Sequence, residues 1–320
     1  MTTGRHSATE LDPSLDDYEL AAALVREAGQ LALLMRMGGL QGERKTSVSD
    51  VVTAADHAAE AYVLEQLRRC RPDDGILGEE GSSVAGRSGR TWVIDPVDGT
   101  YNFLHGSTYW CSAIALKREG TASPGTASDA DVILGAIYQP ELDKLWTGGE
   151  GHPATLNDER IPGPSGAALS ELGAATYIHP TWLADPRAAM PWHAAAVSAA
   201  SLRMFGSGSC DLGRVADGEL GCWFQHSCPE WDWLPGKAIV RAAGGDTDVV
   251  RVNGLDWFLA GARRRSGSCV RRSPRCRNSL EDAPPLATAL SCSFTGPVRR
   301  PSRWRRWSRP CVQPAVTRRQ

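Results

Sequence analysis

Two aspartates three positions apart, Asp95 and Asp98, close the apolar stretch Trp92–Ile94 in WVIDPVDGTYNF (92–103). Burying Trp92, Val93 and Ile94 in a sheet is ordinary. Ending the run on Asp95 sets a carboxylate at the carboxyl edge of a strand, where layered α/β folds bind ligands. Pro96 stops the strand pattern and Gly99 permits a tight turn, so Asp98 can face the same point as Asp95. If Thr100 opens a helix, the free amides at 99–101 face an anion such as a phosphate. Carboxylates gathered in this way repel one another unless a cation lies between them, and hard oxygen ligands suit magnesium. A lone Asp-Gly pair is most often a plain turn, so the weight falls on other acids. GILGEEG (75–81) ends a second apolar strand on Glu79 and Glu80, CPEWDWLPGKAIVRAAGG (228–245) sets Asp232 just before a helix, and KTSVSDVVTAAD (45–56) carries Lys45, Asp50 and Asp56.

The elements that must position these groups alternate. Helical spacing of apolar residues predicts helices over 18–37, stopped by Gly38 and Gly39, and over about 53–69, with Thr53 or the preceding turn as its cap. Strands are predicted over 75–77, 91–95, 110–116, 132–138 and 144–147, with PELD (140–143) turning the last pair into a hairpin. IPGPSG (161–166) marks an internal boundary. Beyond it the pattern predicts a strand over 174–178, helices over 190–201 and 211–217, a strand over 221–225 and a helix over 237–243. Pro235 is read as lying in a first helical turn, just after Asp232. Helices and strands in alternating layers indicate α/β or α+β architecture.

Composition divides the chain. Of 320 residues, 42% are hydrophobic and 22% charged, enough for one large domain or two intimate ones. No apolar run approaches the roughly 18 residues of a membrane helix. The opening MTTGRHSATELDPS has no apolar core of a signal peptide and predicts a mobile leader over 1–16. Nine cysteines at irregular spacings predict free thiols in a reducing cytoplasm. The net charge of −2 hides 15 arginines and no lysine after residue 260, against two acids there. Residues 262–320 have no apolar periodicity, and they hold four of the nine cysteines together with Trp304 and Trp307. This composition fits a shifted reading frame and a disordered tail better than a basic tail for nucleic acid. The organisation expected is therefore a leader over 1–16, halves over 17–160 and 161–261, and an aberrant tail over 262–320.

In this order, GEE at 78–80, DPVDGTYNF at 95–103 and WD at 231–232, followed by a helix and GG, resemble the inositol monophosphatase family of metal-dependent phosphatases. The resemblance covers about residues 17–261 and implies a layered α-β-α-β-α sandwich, often dimeric. It implies two or more Mg²⁺ ions, one held by Glu79, Asp95 and the main-chain carbonyl of Val97, another by Asp95, Asp98 and Asp232. Thr100, paired with Asp56, would with Glu79 orient the attacking water. Asp98 and the Gly99 and Thr100 amides would face the phosphate, with Lys45 on a covering loop. Gly206, Ser207 and Gly208 would meet the substrate, and Gln225 stands where the inositol-type enzymes carry a glutamate against a ring hydroxyl. An amide keeps that reach and loses the charge. The implied reaction is hydrolysis of a small phosphorylated alcohol, myo-inositol 1-phosphate first and histidinol phosphate second, by a homodimer without membrane partners. Two other classes are weighed. A nucleic-acid-binding protein acting through the basic tail lacks a recognisable module. A silent regulator is disfavoured because every implied metal ligand is present.

Overall fold

The computed structural model describes residues 10–39, 42–44, 51–119, 131–263 and Leu286. Lys45, Asp50 and most of the arginine-rich tail lie outside the described residues. A short ribbon pairs β1 (Gly42–Arg44) with β2 (Val51–Thr53). The first large sheet contains β3 (Gly75–Gly78), β4 (Ser83–Val84), β5 (Arg90–Asp98), β6 (Cys111–Arg118), β7 (Asp131–Gln139), β8 (Lys144–Gly149), β9 (His152–Leu156) and β10 (Glu159–Arg160). Its spatial order is β10-β9-β8-β7-β6-β5-β3-β4, with β3 and β5 parallel. The second contains β11 (Gly173–Thr176), β12 (Ser201–Arg203), β13 (Cys222–His226), β14 (Gly245–Val252) and β15 (Leu255–Ala262), ordered β12-β11-β13-β15-β14. Six α-helices are described: α1 (Asp17–Met37), α2 (Ala54–Cys70), α3 (Thr100–Leu104), α4 (Pro186–Ala196), α5 (Gly208–Ala216) and α6 (Glu230–Ala242).

Side-chain alternation along β5 and β6 builds the layers. Trp92, Ile94, Ile114 and Leu116 face Leu20, Leu24, Val63 and Leu67 of α1 and α2. Val93, Ala113 and Ala115 face the opposite way, toward Leu212 of α5, Leu234 and Ile239 of α6, and Trp223 and Phe258 of the second sheet. The outer face of that sheet buries Phe224, Trp257 and Leu259 against Ala195 and Ala196 of α4. The result is the α-β-α-β-α sandwich that the resemblance implies. The middle cluster draws on both sides of the 161–166 link, so the two halves share a core.

Several boundaries differ from the sequence reading. The helix expected over 190–201 spans Pro186–Ala196, because Asp185 caps it by accepting from the Arg187 N–H and Pro186 fits its first turn. Ser201 already belongs to β12. The helix expected over 237–243 starts at Glu230, so Asp232 lies inside its first turn and Pro235 inside its body. The proline ring removes one ladder hydrogen bond, and burial of Trp233, Leu234, Ile239 and Val240 offsets that loss. PELD does turn β7 into β8, with Asp143 in the left-handed region at φ 47°. All five described cysteines are free and buried.

Within the expected leader, Leu11 is buried and donates its N–H to Gln66 Oε1 at 3.0 Å, while Asp16 caps α1. Of the expected disordered tail, Ala262 extends β15 and Leu286 packs with no exposed surface against Leu169, Phe224, Trp257 and Leu259. A buried leucine truncated to alanine loses both transfer energy and packing. Leu286→Ala should lower the unfolding free energy by about 2–5 kcal/mol in urea denaturation; a change below about 0.5 kcal/mol, the size of a surface effect, would show that this contact stabilises nothing.

Candidate active site

In an uninterrupted strand, residues three apart point to opposite faces. Asp95 and Asp98 escape this rule because β5 carries an irregularity against β6. Asp95 pairs with Ala113 and Asp98 with Cys111, so three steps on one strand match two on the other. The extra residue re-aims Asp98 to the side of Asp95. Pro96 sits in this bulge, where its missing N–H breaks no ladder bond, and its carbonyl accepts from Ser112 Oγ at 2.6 Å. Gly99 follows at φ 91°. A Cβ there would lie 3.1 Å from the Gly206 carbonyl and 3.2 Å from Ser207 Cβ, so conformation and space both require glycine.

Each acid is held by a different element. Glu79 follows β3, its N–H bonded to the Ile94 carbonyl at 3.1 Å. Asp98 Oδ2 accepts from Ser207 Oγ at 3.0 Å and the Ser209 N–H at 2.5 Å, so the first turn of α5 clasps it. Asp232 comes from the first turn of α6 and lies beside Asp95, which also neighbours Glu79. Asp56 lies behind Thr100, whose hydroxyl is within hydrogen-bonding distance of Asp56 Oδ1 at 3.3 Å and of the Val97 carbonyl at 3.0 Å. The other oxygen of Asp56 accepts from the Thr53 N–H at 3.0 Å and from the Thr53 hydroxyl, completing the capping box of α2.

The remaining expected site residues converge. Glu79, Asp95, Val97, Asp98, Gly99, Thr100, Gly206, Ser207, Gly208, Gln225 and Asp232 all line one cavity of about 940 Å³. Asp56 supports it from behind. His226, near the site in sequence, packs instead between Trp182 and Trp257. Ser207 is buried and engaged with Asp98, so its hydroxyl fixes a carboxylate in this structure.

Electrostatics show what the arrangement lacks. Burial, then the neighbouring Glu79, Asp98 and Asp232, pushes Asp95 well above the ordinary carboxylate range. Burial raises Asp98 against the opposing hydrogen bonds of Ser209, Ser207 and Gly208. Burial, Asp98 and Glu79 raise Asp232. Among the described residues, no three acids, histidines or cysteines yet converge closely enough to hold a metal ion as they stand. The donor set nevertheless fits one. Asp95 Oδ1 is buried with no hydrogen-bond partner among the described residues, a state that costs about 1–3 kcal/mol, and it lies among hard oxygen donors of the kind divalent cations take.

The sequence reading missed Glu60. Buried one turn beyond Asp56 on α2, it accepts from the Glu80 N–H at 2.8 Å and the Ser82 N–H at 3.1 Å. A Cβ at Gly78 would meet its carboxylate at 2.5 Å. One helix thereby sets the Glu79 loop through Glu60 and the Thr100 hydroxyl through Asp56. An acid four residues from Asp56 was the available signal, but on a helix with Glu65, Arg68 and Arg69 it reads as a solvated charge. Also missed was Asp211, buried on α5, which accepts from the Tyr109 hydroxyl at 2.6 Å.

A model of the inositol monophosphatase family matches residues 16–265. The chain belongs to that family. An inositol-1-monophosphatase from Rhizobium meliloti (strain 1021) is 34% identical over 205 residues, covering 62% of this chain and 71% of the relative. The fructose-1,6-bisphosphatase/inositol-1-monophosphatase of Thermotoga maritima is 29% identical, covering 72% and 84%. The crystal structure of the extragenic suppressor protein suhB from Bartonella henselae superposes with a TM-score of 0.67 at 26% identity, over 82% of this chain and 96% of that one. Inositol monophosphatase family members are phosphatases, so this chain is a phosphoric monoester hydrolase. The family is generally metal-dependent, typically on Mg²⁺. No helix among the described residues is long and apolar enough to cross a membrane.

The carboxylate geometry of this phosphatase leads to two expected outcomes. Glu60→Gln turns an NH₂ toward one of two backbone N–H donors, loosening the Glu79 loop. It should lower kcat about 10-fold and raise the Mg²⁺ concentration for half-maximal activity; an unchanged Mg²⁺ requirement would remove Glu60 from the positioning of Glu79. The second concerns pH. Folding raises Asp56 to about 6, chiefly by burial, and raises Asp95, Asp98 and Asp232 as well. The folded state therefore binds more protons than the unfolded state above about pH 4, the unfolded carboxylate value, and stability falls as pH rises through the folded values. Thermal unfolding in EDTA should occur at lower temperature at pH 7.5 than at pH 5, with Mg²⁺ shrinking the difference. An EDTA-treated protein whose midpoint rises across that interval would contradict the burial of these charges.

Proposed function

We propose that this chain hydrolyses small phosphate monoesters with Mg²⁺, and that myo-inositol 1-phosphate is a substrate. The observation that carries the reading is the set Glu79, Asp95, Asp98 and Asp232 around a partnerless buried oxygen of Asp95. It stands beside the glycine turn that opens α3. The substrate is suggested by relatives named inositol-1-monophosphatase. Glu79, Asp95 and the Val97 carbonyl would hold one ion, and Asp95, Asp98 and Asp232 a second. When bound, Mg²⁺ neutralises the charge that develops on the phosphoryl oxygens.

The rest falls to the chain. The Gly99 and Thr100 amides at the αL turn face the phosphate as fixed donors, which cost no reorganisation during the reaction. With the Val97 carbonyl engaged by an ion, the Thr100 hydroxyl would donate to Asp56 Oδ1 rather than to Val97, and its lone pairs would accept a hydrogen from a water held with Glu79. Thr53 fixes the far oxygen of Asp56, leaving Oδ1 to take the relayed proton. With Asp56 raised to about 6, the acid is mostly ionised at neutral pH and matched to proton transfer there. The water oxygen bonds to phosphorus, the bond to the alcohol breaks, and the leaving alkoxide takes a proton from solvent entering the open cavity. Positioning and electrostatics suffice for such a transfer. Gln225 lines the cavity as a neutral donor and acceptor for the alcohol. The homodimer implied by the family is part of the same reading.

The test is phosphate release from myo-inositol 1-phosphate with and without Mg²⁺. Turnover should vanish in excess EDTA and return with Mg²⁺. Asp98→Asn should cost about 100-fold or more in kcat with little loss of stability, because the substitution keeps the shape that α5 clasps and removes the charge. Near-normal turnover by that variant, or full activity in EDTA, would overturn the assignment.

A further inference from the structure

Away from the carboxylate centre, the cavity is bounded by two neighbouring strand ends. β11 and β13 run parallel with Thr176 opposite Phe224, so the chain leaves them side by side at Tyr177 and Gln225. The carboxyl ends of parallel strands are where such sheets bind ligands. Tyr177, His179 and Thr181 continue along this wall, while Tyr101, Met204 and Phe205 give another part of it an aromatic and apolar surface. Acceptors are plentiful, because Glu79, Asp95, Asp98, Asp211 and Asp232 all line the cavity. Side-chain donors with a set direction are scarcer among the described residues. Ser207 gives its hydroxyl hydrogen to Asp98. Asn102 commits both amide hydrogens, to the Phe205 carbonyl at 2.6 Å and the Tyr109 carbonyl at 2.8 Å. The hydroxyls of Tyr177 and Thr181 rotate, and the amide of Gln225 presents either end.

His179 differs because the backbone that follows it sets its ring. It caps the single 3-10 turn Pro180–Ala184. Its Nδ1 accepts the Thr181 N–H at 3.3 Å and lies 2.8 Å from the Thr181 hydroxyl oxygen. A backbone N–H can only donate, so Nδ1 must hold a lone pair, and the hydrogen of the neutral ring sits on Nε2. The turn itself is braced. Pro180 fixes φ at its first position, Trp182 packs edge-on against His226 with centroids 4.9 Å apart, and Asp185 ends it as the cap of α4. A donor aimed before the substrate arrives loses little freedom on binding.

We infer that His179 is a specificity residue for the alcohol: its Nε2–H donates to a hydroxyl oxygen of the substrate, on the side of the cavity it shares with Gln225, and so favours an alcohol that carries further hydroxyls over one that carries none. The inference rests on the phosphatase reading above and adds to it a residue that decides which alcohol is accepted. A substrate hydroxyl both donates and accepts. Gln225 Oε1 takes its hydrogen, and His179 supplies the hydrogen that its oxygen needs. This contact lies on the alcohol and not on the phosphoryl group, so it holds ground state and transition state alike and acts on KM rather than kcat. A neutral hydrogen bond of this kind is worth roughly 2–12-fold in affinity.

The experiment measures kcat and KM with Mg²⁺ for myo-inositol 1-phosphate and for 4-nitrophenyl phosphate, whose leaving group has no further hydroxyl. Two variants separate recognition from capping. His179→Asn keeps an acceptor for the Thr181 N–H, since asparagine is a good cap, but is too short to replace the Nε2 donor. His179→Gln places an NH₂ where Nε2 stood. The ratio of kcat/KM for the inositol ester over the nitrophenyl ester should fall about fivefold in His179→Asn, through a higher KM for the inositol ester. In His179→Gln the ratio should stay within about twofold of the wild type. An unchanged ratio in His179→Asn would overturn the inference, and if His179→Gln alone lost it, the ring would serve only as a cap. Equal losses in both variants would overturn it too, by showing that the wall and not the donor had failed. Turnover of the nitrophenyl ester without any of the inositol ester would remove the inference and leave the phosphatase reading standing. Two inert esters would remove both.

Discussion

Mutual repulsion among carboxylates is the constraint on which the rest of the structure depends. Asp95, Asp98, Asp232 and Glu79 would each be more stable apart and in water, and the fold holds them together largely out of it. Such a cluster survives only if every acid is tethered more strongly than it is repelled. The tethers are visible: the backbone ladder under Glu79, the first turn of α5 around Asp98, and the buried helix α6 beneath Asp232. The large core has stability to spare for this purpose, and functional sites commonly carry such a cost.

Distances within the site are set by two devices. The irregularity in β5 turns an odd spacing into a shared face, and α2 presents Asp56 and Glu60 one turn apart to two separate loops. A helix is a good spacer because residues four apart are fixed neighbours on one face. The Thr53 cap fixes where that helix begins and hence which oxygen of Asp56 faces Thr100. Backbone that would be free to wander in a loop is thereby tied to secondary structure on both sides.

Much of this was legible in the sequence for local reasons. The β5 carboxylates, Gly99 and Thr100 could be read because strand ends and glycine turns are written in consecutive residues, and Glu79 and Asp232 repeat the same punctuation. The layers could be read from the alternation of helical and strand patterns along the chain. The start of α6 could not, because Pro235 suggests a first turn, whereas the burial that overrides it comes from distant strands. Glu60 was hidden because an acid on an amphipathic helix looks solvated until the Gly78–Ser82 loop is folded against it. The walls at Tyr177 and Met204–Phe205 come from irregular backbone with no period to detect. Leu286 was hidden by the unpatterned residues on either side of it.

The turn at Gly206–Ser209 has two duties. It follows directly from the aromatic wall at Phe205, and its serine hydroxyl and amide hold Asp98. On the proposed reading, recognition of the alcohol and binding of the ion therefore both hang on the five residues 205–209. In evolutionary terms they are not separate traits. If Asp98 holds an ion as proposed, a lineage that remodels this turn to admit a different alcohol displaces that ligand as well, so changes in substrate range within this architecture should come with changes in ion affinity, and variants that broaden one without weakening the other should be rare.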